Sequence, residues 1–136
     1  MHYLEFLSHV QDRAELDSRG AAERAVRATF ETLAERVTQG ATTNLAAQLP
    51  REIAQYLLRR GPEVKELSAD QFWEHIAERE HSDTATAIRH ARAVFQTLDE
   101  AVSAGEIDDF RAELPTVLKR LFETVTPPRT SRAPRP

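Results

Sequence analysis

An internal repeat constrains the fold of this chain more than any other feature. Ala22–Pro50 aligns with Ala87–Pro115 at an offset of sixty-five residues, placing Arg24 on Arg89, Arg27 on Arg92, Ala28 on Ala93 and Phe30 on Phe95. Thr32, Leu33, Glu35 and Val37 fall on Thr97, Leu98, Glu100 and Val102, and the corners "GATTNLAAQLP" and "GEIDDFRAELP" close the match. Upstream the offset becomes sixty-six, with Phe6, His9, Arg13 and Asp17 on Phe72, His75, Arg79 and Asp83. The one-residue gap lies near Ser18 to Ala21, between periodic segments, where two copies of one structural unit tolerate it.

The unit reads as helical throughout. Tyr3, Phe6, Leu7, Val10 and Ala14 mark the inner face of a first helix from about His2 to Ala14. Val26, Phe30, Leu33 and Val37 form a single stripe on a second, from about Arg19 to Gln39. A short piece near Thr43 to Gln48 follows, then a helix from Pro50 to Arg60 with Ile53, Tyr56 and Leu57 inward, ended by "RRGP". The second copy opens on the capping box Ser68 to Gln71. Its apolar positions are Phe72, Trp73 and Ile76, then Ile88, Ala91, Phe95, Leu98 and Val102, and finally Leu118, Leu121, Phe122 and Val125. Gly40 and Gly105 are expected to take the left-handed conformation that stops a helix, and Pro50 and Pro115 to stand at the first position of the next. Leu49 and Leu114 are expected to tuck into the core at those corners. No segment reads as a strand. The expected fold class is therefore all-α: a duplicated four-helix unit, with repeats at about 2–60 and 68–126. Each copy is near the lower size limit for independent folding, so the two are expected to share one core as a single domain over 1–126. The tail 127–136 reads as disordered.

Composition excludes several function classes. There is no cysteine, hence no disulfide or thiolate-bound metal, and a reducing cytoplasm is the default location. "MHYLEFLSHVQDRAEL" carries Glu5 and Asp12 and reads as neither a signal peptide nor an anchor, and no apolar run approaches the ~18 residues of a spanning helix, so no membrane partner is expected. Net charge is −4, and the last ten residues hold three Arg and no acid, which leaves a body of 15 basic and 22 acidic residues. An acidic body without a coherent basic helix face argues against nucleic acid as a partner.

The pattern "AERAVRATFETLAERVTQGATTNLAAQLPREI", its echo "AIRHARAVFQTLDEAVSAGEIDDFRAELPTVL", and the opening "MHYLEFLSHVQDRAELDS" resemble the bacterial family called domain of unknown function 2267. The similarity spans roughly residues 1–125. It implies a small, duplicated, all-helical bacterial protein, and it carries over no activity and no catalytic residue.

Four constellations are candidates for chemistry. His9 and His75 hold equivalent places. A pseudo-twofold bringing them together would make a metal or acid–base pair, while singly each is a boundary histidine bonding a neighbouring helix. Arg24 with Arg27, and Arg89 with Arg92, repeat an Arg-x-x-Arg pair able to hold a phosphate or carboxylate. Glu23 and Glu31, four residues either side of Arg27, also explain that pattern as surface ion pairs worth ~0.3–0.5 kcal/mol each. Ile88 and Gln96 replace those acids in the second copy, leaving Arg92 less neutralised. Glu78-x-x-His81 has the spacing of a di-iron ligand pair but occurs once, with Asp12 and Glu15 at the matching positions, and reads as a solvated face. Arg129, Arg132 and Arg135 would share one side of a polyproline II tail.

The leading expectation is a non-enzymatic module that binds a protein partner or itself as a homo-oligomer. The alternative is a small anionic ligand or metal binder using an inter-repeat cleft with Arg24, Arg27, Arg89, Arg92, His9 and His75. The absence of a phosphate loop, a nucleophile elbow or a zincin motif leans against an enzyme, and no catalytic residue, resident metal or cofactor is expected.

Overall fold

A computed structural model describes residues 1–58 and 66–125 of the chain. Among them are eight helices and no strand: α1 (Tyr3–Arg13), α2 (Arg19–Arg36), α3 (Gln39–Ala46), α4 (Arg51–Leu58), α5 (Ala69–Glu80), α6 (Thr84–Ala101), α7 (Ala104–Ala112) and α8 (Thr116–Val125). Most begin where the sequence supplies a side-chain acceptor for an orphan amide. The Ser18, Thr38, Ser68, Asp83 and Ser103 side chains accept from the backbone N–H of Ala21, Ala41, Gln71, Thr86 and Glu106 at 2.8–3.3 Å. At Ser68 the exchange is reciprocal, its own N–H donating to Gln71 Oε1 at 2.9 Å. Pro50 and Pro115 sit one position earlier than expected, as caps whose carbonyls accept from Ala54 and Lys119.

Two eighteen-residue helices form the middle of the molecule. α2 packs on α1, α4, α5 and α6, while α6 packs on α1, α2, α5 and α8, and α3 meets α7 at one end. The expected stripes are buried, but α2 and α6 bury more than one stripe. Ala25, Ala28, Thr29 and Thr32 of α2, and Ala87, Ala93, Val94 and Thr97 of α6, are also inside. Small side chains at these positions let neighbouring helices approach from several sides. All six phenylalanines are buried, with Phe6 against Phe30 (6.3 Å between centroids), and Phe95 and Phe110 both against Phe122 (4.5 and 6.1 Å). Each contributes about 2–3 kcal/mol of transfer free energy. Leu49 and Leu114 are buried at the corners, whereas Tyr3, Ile88 and Leu121 are half-buried against the core. No helix among the described residues is long and apolar enough to cross a membrane.

The glycines do not act as expected. Gly40 and Gly105 lie inside α3 and α7, and no described glycine has a positive φ. α2 and α6 end earlier, at Val37 and Val102, whose backbone is extended (φ −113° and −114°) and leads straight into the caps Thr38 and Ser103. A chain passing from an extended residue into a new N-cap needs no left-handed stop. The left-handed positions are Glu15 (φ 54°) and His81 (φ 60°), after α1 and α5. The bond from Leu16 N–H to Gln11 C=O and that from Ser82 N–H to Ala77 C=O, both 2.9 Å, close these two turns as Schellman motifs. The expected stop at Arg59 to Pro62, the side chain of Val125 and the tail 127–136 lie outside the described residues.

Candidate functional site: an arginine-lined cleft between α2 and α5

Arg24, Arg27, Glu31 and Glu35 follow one another at spacings of three, four and four, so α2 presents them on one face. α5 packs along that helix and brings His75 and Arg79 to it, four residues apart on their own helix. The Arg79 guanidinium grips the Glu35 carboxylate bidentately (2.9 and 2.7 Å) and donates to Thr32 Oγ1 at 2.6 Å. Thr32 in turn gives its own proton to the Ala28 carbonyl at 2.8 Å. The bond to Glu35 holds the Arg79 pKa above its ordinary value, so this guanidinium stays charged. His75 Nδ1 lies 3.5 Å from Glu35 Oε1.

Above this clamp is a cleft of about 370 Å³ lined by Arg24, Arg27, Ala28, Glu31, Arg79 and His81. Arg27 donates from Nε to Glu31 at 3.2 Å, with its guanidinium 6.0 Å from the Tyr56 ring centre. Glu31 also faces Arg79 Nε at 3.8 Å. Arg24 is exposed and makes no hydrogen bond or ion pair with any described residue. His81 enters from the left-handed turn after α5. With Arg79 neutralised by Glu35 and Arg27 facing Glu31, three guanidiniums meet two carboxylates, and Arg24 supplies the uncompensated positive charge. Such donors approaching from two helices and a turn suit a phosphate or carboxylate group.

The six residues singled out from sequence are divided by the fold. Arg24 and Arg27 line the cleft; Arg89 and Arg92 do not. Arg89 donates to the Ala14 carbonyl at 3.2 Å, and Arg92 is exposed on α6 with no ion pair among the described residues. His9 and His75 sit on different carboxylates, His9 Nδ1 being 3.6 Å from Glu100 Oε1. Arg13 clamps the same Glu100 at 2.5 Å and Thr97 Oγ1 at 2.9 Å. No group of three His, Asp or Glu among the described residues could hold a metal ion, Glu78 and His81 included.

Arg79, His81 and Glu31 complete the site. Behind it lies a buried set that no motif in the sequence marks. Glu80 and His90, each 8% exposed, meet at 2.8 Å between Oε2 and Nδ1, and Ser82 Oγ donates to Glu80 Oε1 at 2.9 Å. These are the residue types of a catalytic triad, but the hydroxyl and the imidazole bond the same carboxylate. The imidazole is therefore not placed as a base for the serine. The signal for this set lies at the aligned positions, sixty-six and sixty-five residues earlier, where Glu80 and His90 are matched by Ala14 and Ala25, both buried.

The model of an uncharacterised conserved protein family, DUF2267, matches residues 3–121. The chain belongs to that family. The match takes in every helix that lines the cleft of this DUF2267 member. No curated protein matches the chain.

Proposed function

We propose that this DUF2267 chain is a non-enzymatic binding protein that takes a small anionic ligand, through a phosphate or carboxylate group, in the cleft between α2 and α5. The observation that carries the reading is the convergence of Arg24, Arg27, Arg79 and His81 on one open space, with Arg24 unpaired among the described residues. Arg79 is held rigid by Glu35 and Thr32, so part of the ordering cost of binding is met before the ligand arrives. NMR titration with inorganic phosphate and with acetate tests it. Shifts should be confined to the cleft residues and disappear in Arg24→Ala/Arg27→Ala. Shifts spread over the surface, or undiminished in that variant, would refute it.

The same reading takes residues 1–126 as one domain made of two copies of a four-helix unit. Its support is positional. Glu15 and His81, sixty-six apart, are both left-handed, and Thr32 and Thr97, sixty-five apart, both bond the carbonyl four residues back. The clamps are reciprocal as well: Arg13 and His9 reach Glu100 across the halves, and Arg79 and His75 reach Glu35. Contacts of i with j and of i′ with j′ are those an isologous interface makes.

A second reading, docking of a protein partner or self-association, draws on the N-terminal end. Met1 and Leu4 are 38% and 52% exposed there, beside Tyr3 and Pro50 on a hollow of about 740 Å³. Light scattering across a concentration series, repeated on Leu4→Glu, decides it; one monomeric mass throughout counts against self-association.

A further inference from the structure

We infer that Glu80 and His90 are positioning residues for the cleft: they tie the turn that carries His81 to α6, and so hold that imidazole where an anion meets it. The inference rests on the anion-binding reading above and assigns a role to a buried polar set which that reading leaves unused.

The connection is short. Glu80, His81 and Ser82 are consecutive. One oxygen of the Glu80 carboxylate receives the Ser82 hydroxyl at 2.9 Å, and the other meets His90 Nδ1 at 2.8 Å. His90 sits on α6, in its second turn, where it is as buried as Glu80. A single carboxylate therefore joins the end of α5, the residue beyond His81 and the neighbouring helix. His81 itself has φ 60° and ψ 49°, a left-handed conformation that non-glycine residues adopt infrequently, histidine more readily than most.

The first half closes its equivalent turn without such a tie, with Leu16 packed against the core at the place of Ser82. Glu15 takes the same left-handed conformation, closed by the same amide-to-carbonyl bond, with alanines at the positions of Glu80 and His90. A buried acid and imidazole are costly to desolvate, and alanine fills both places in the other half without that cost. The turns differ at the apex and just beyond it: Glu15 and the core-packed Leu16 in one, the cleft-lining His81 and the Glu80-bonded Ser82 in the other. The pair accompanies the turn whose side chain has somewhere to point.

The experiment compares wild type, Glu80→Ala/His90→Ala, His90→Asn and Ser82→Ala. The double variant restores the residues found in the first half, so it should fold with a urea midpoint close to wild type. Hydrogen exchange at the Ser82 amide should speed up in it, and affinity for inorganic phosphate should fall about threefold or more as the competent turn becomes less populated. His90→Asn keeps a donor near the place of Nδ1 and should retain both properties. Ser82→Ala removes the hydroxyl that joins the turn to Glu80 while leaving Glu80 and His90 in the chain, and should reproduce the direction of both changes even if the double variant does not fold. Unchanged Ser82 exchange, or unchanged phosphate affinity alongside faster exchange, would overturn the inference. If wild type binds no phosphate, the anion reading fails by itself, and the Ser82 exchange rates still decide whether the pair holds the turn.

Discussion

Replacing His81 by glycine separates the strain in its turn from the chemistry of its side chain. His81 sits at φ 60°, where a side chain costs roughly 1–2 kcal/mol relative to glycine. Glycine gives back part of that gain, because it frees the unfolded chain by about 0.4–1 kcal/mol. The imidazole is exposed, so little packing is lost. The net expectation is a stabilisation of about 0.5–1 kcal/mol, which for a chain of 136 residues raises the melting temperature by a few degrees. Affinity for phosphate should fall at the same time, since one of four donors has left the cleft. Glu15→Gly is the matched control: it relieves the same conformation at φ 54° without touching the cleft, and should stabilise by a similar amount with binding unchanged. Calorimetry with and without phosphate reads both quantities. A destabilised His81→Gly would refute the strain reasoning. A stabilised one that binds phosphate as well as wild type would remove His81 from the site.

Removing the two clamps should have unequal effects. Arg79→Ala strips a bidentate partner from the largely buried Glu35 and should cost about 1–3 kcal/mol, whereas Arg13→Ala exposes a Glu100 already 48% accessible and should cost about 1 kcal/mol or less, both measured as urea midpoints. Gly40→Ala and Gly105→Ala place a methyl group in open space inside α3 and α7, where φ is negative, and each should stabilise by roughly 0.5–1 kcal/mol; a loss of stability would contradict the helical placement of these glycines. The Asp83 cap has a pKa below its ordinary value, chiefly because its carboxylate receives the Thr86 backbone amide. A depressed folded-state pKa means that its contribution is present above pH about 4 and is lost as pH falls through the folded value, so Asp83→Asn should flatten the stability profile in that acid range.

Legibility in the sequence followed the kind of information each feature needs. The burial of Phe6, Phe30, Phe72 and Phe95 depends on periodicity along single helices, and periodicity is local. The helix stops are not legible from residue type, because residue type does not fix conformation. Glycine type points to the left-handed conformation, yet what ends α2 is Val37 extending into the Thr38 cap, and the left-handed places are a glutamate and a histidine. The cleft was half legible for a related reason. Arg24 and Arg27 announce themselves on one helix, but that Arg79 and His81 complete the site depends on α5 lying against α2, which no spacing within either helix encodes.

The differences between the halves carry the rest. Ala14 and Ala25 stand where the second half has the bonded Glu80 and His90. Ala34 and Ala46 stand where it has Asp99 and Arg111, themselves buried and 3.7 Å apart, with the Arg111 guanidinium 5.1 Å from the Phe122 ring centre. In both cases the two members of a contact differ together, as burial demands: one acid or one base alone among apolar neighbours would lack a partner, while a pair or two alanines can each be accommodated. If the halves descend from one unit, as proposed, these are the places where they have taken separate roles. One of the two pairs is bonded to the turn that carries His81 to the cleft. The asymmetry of the core and the asymmetry of the surface are then one feature, seen from opposite sides of α5.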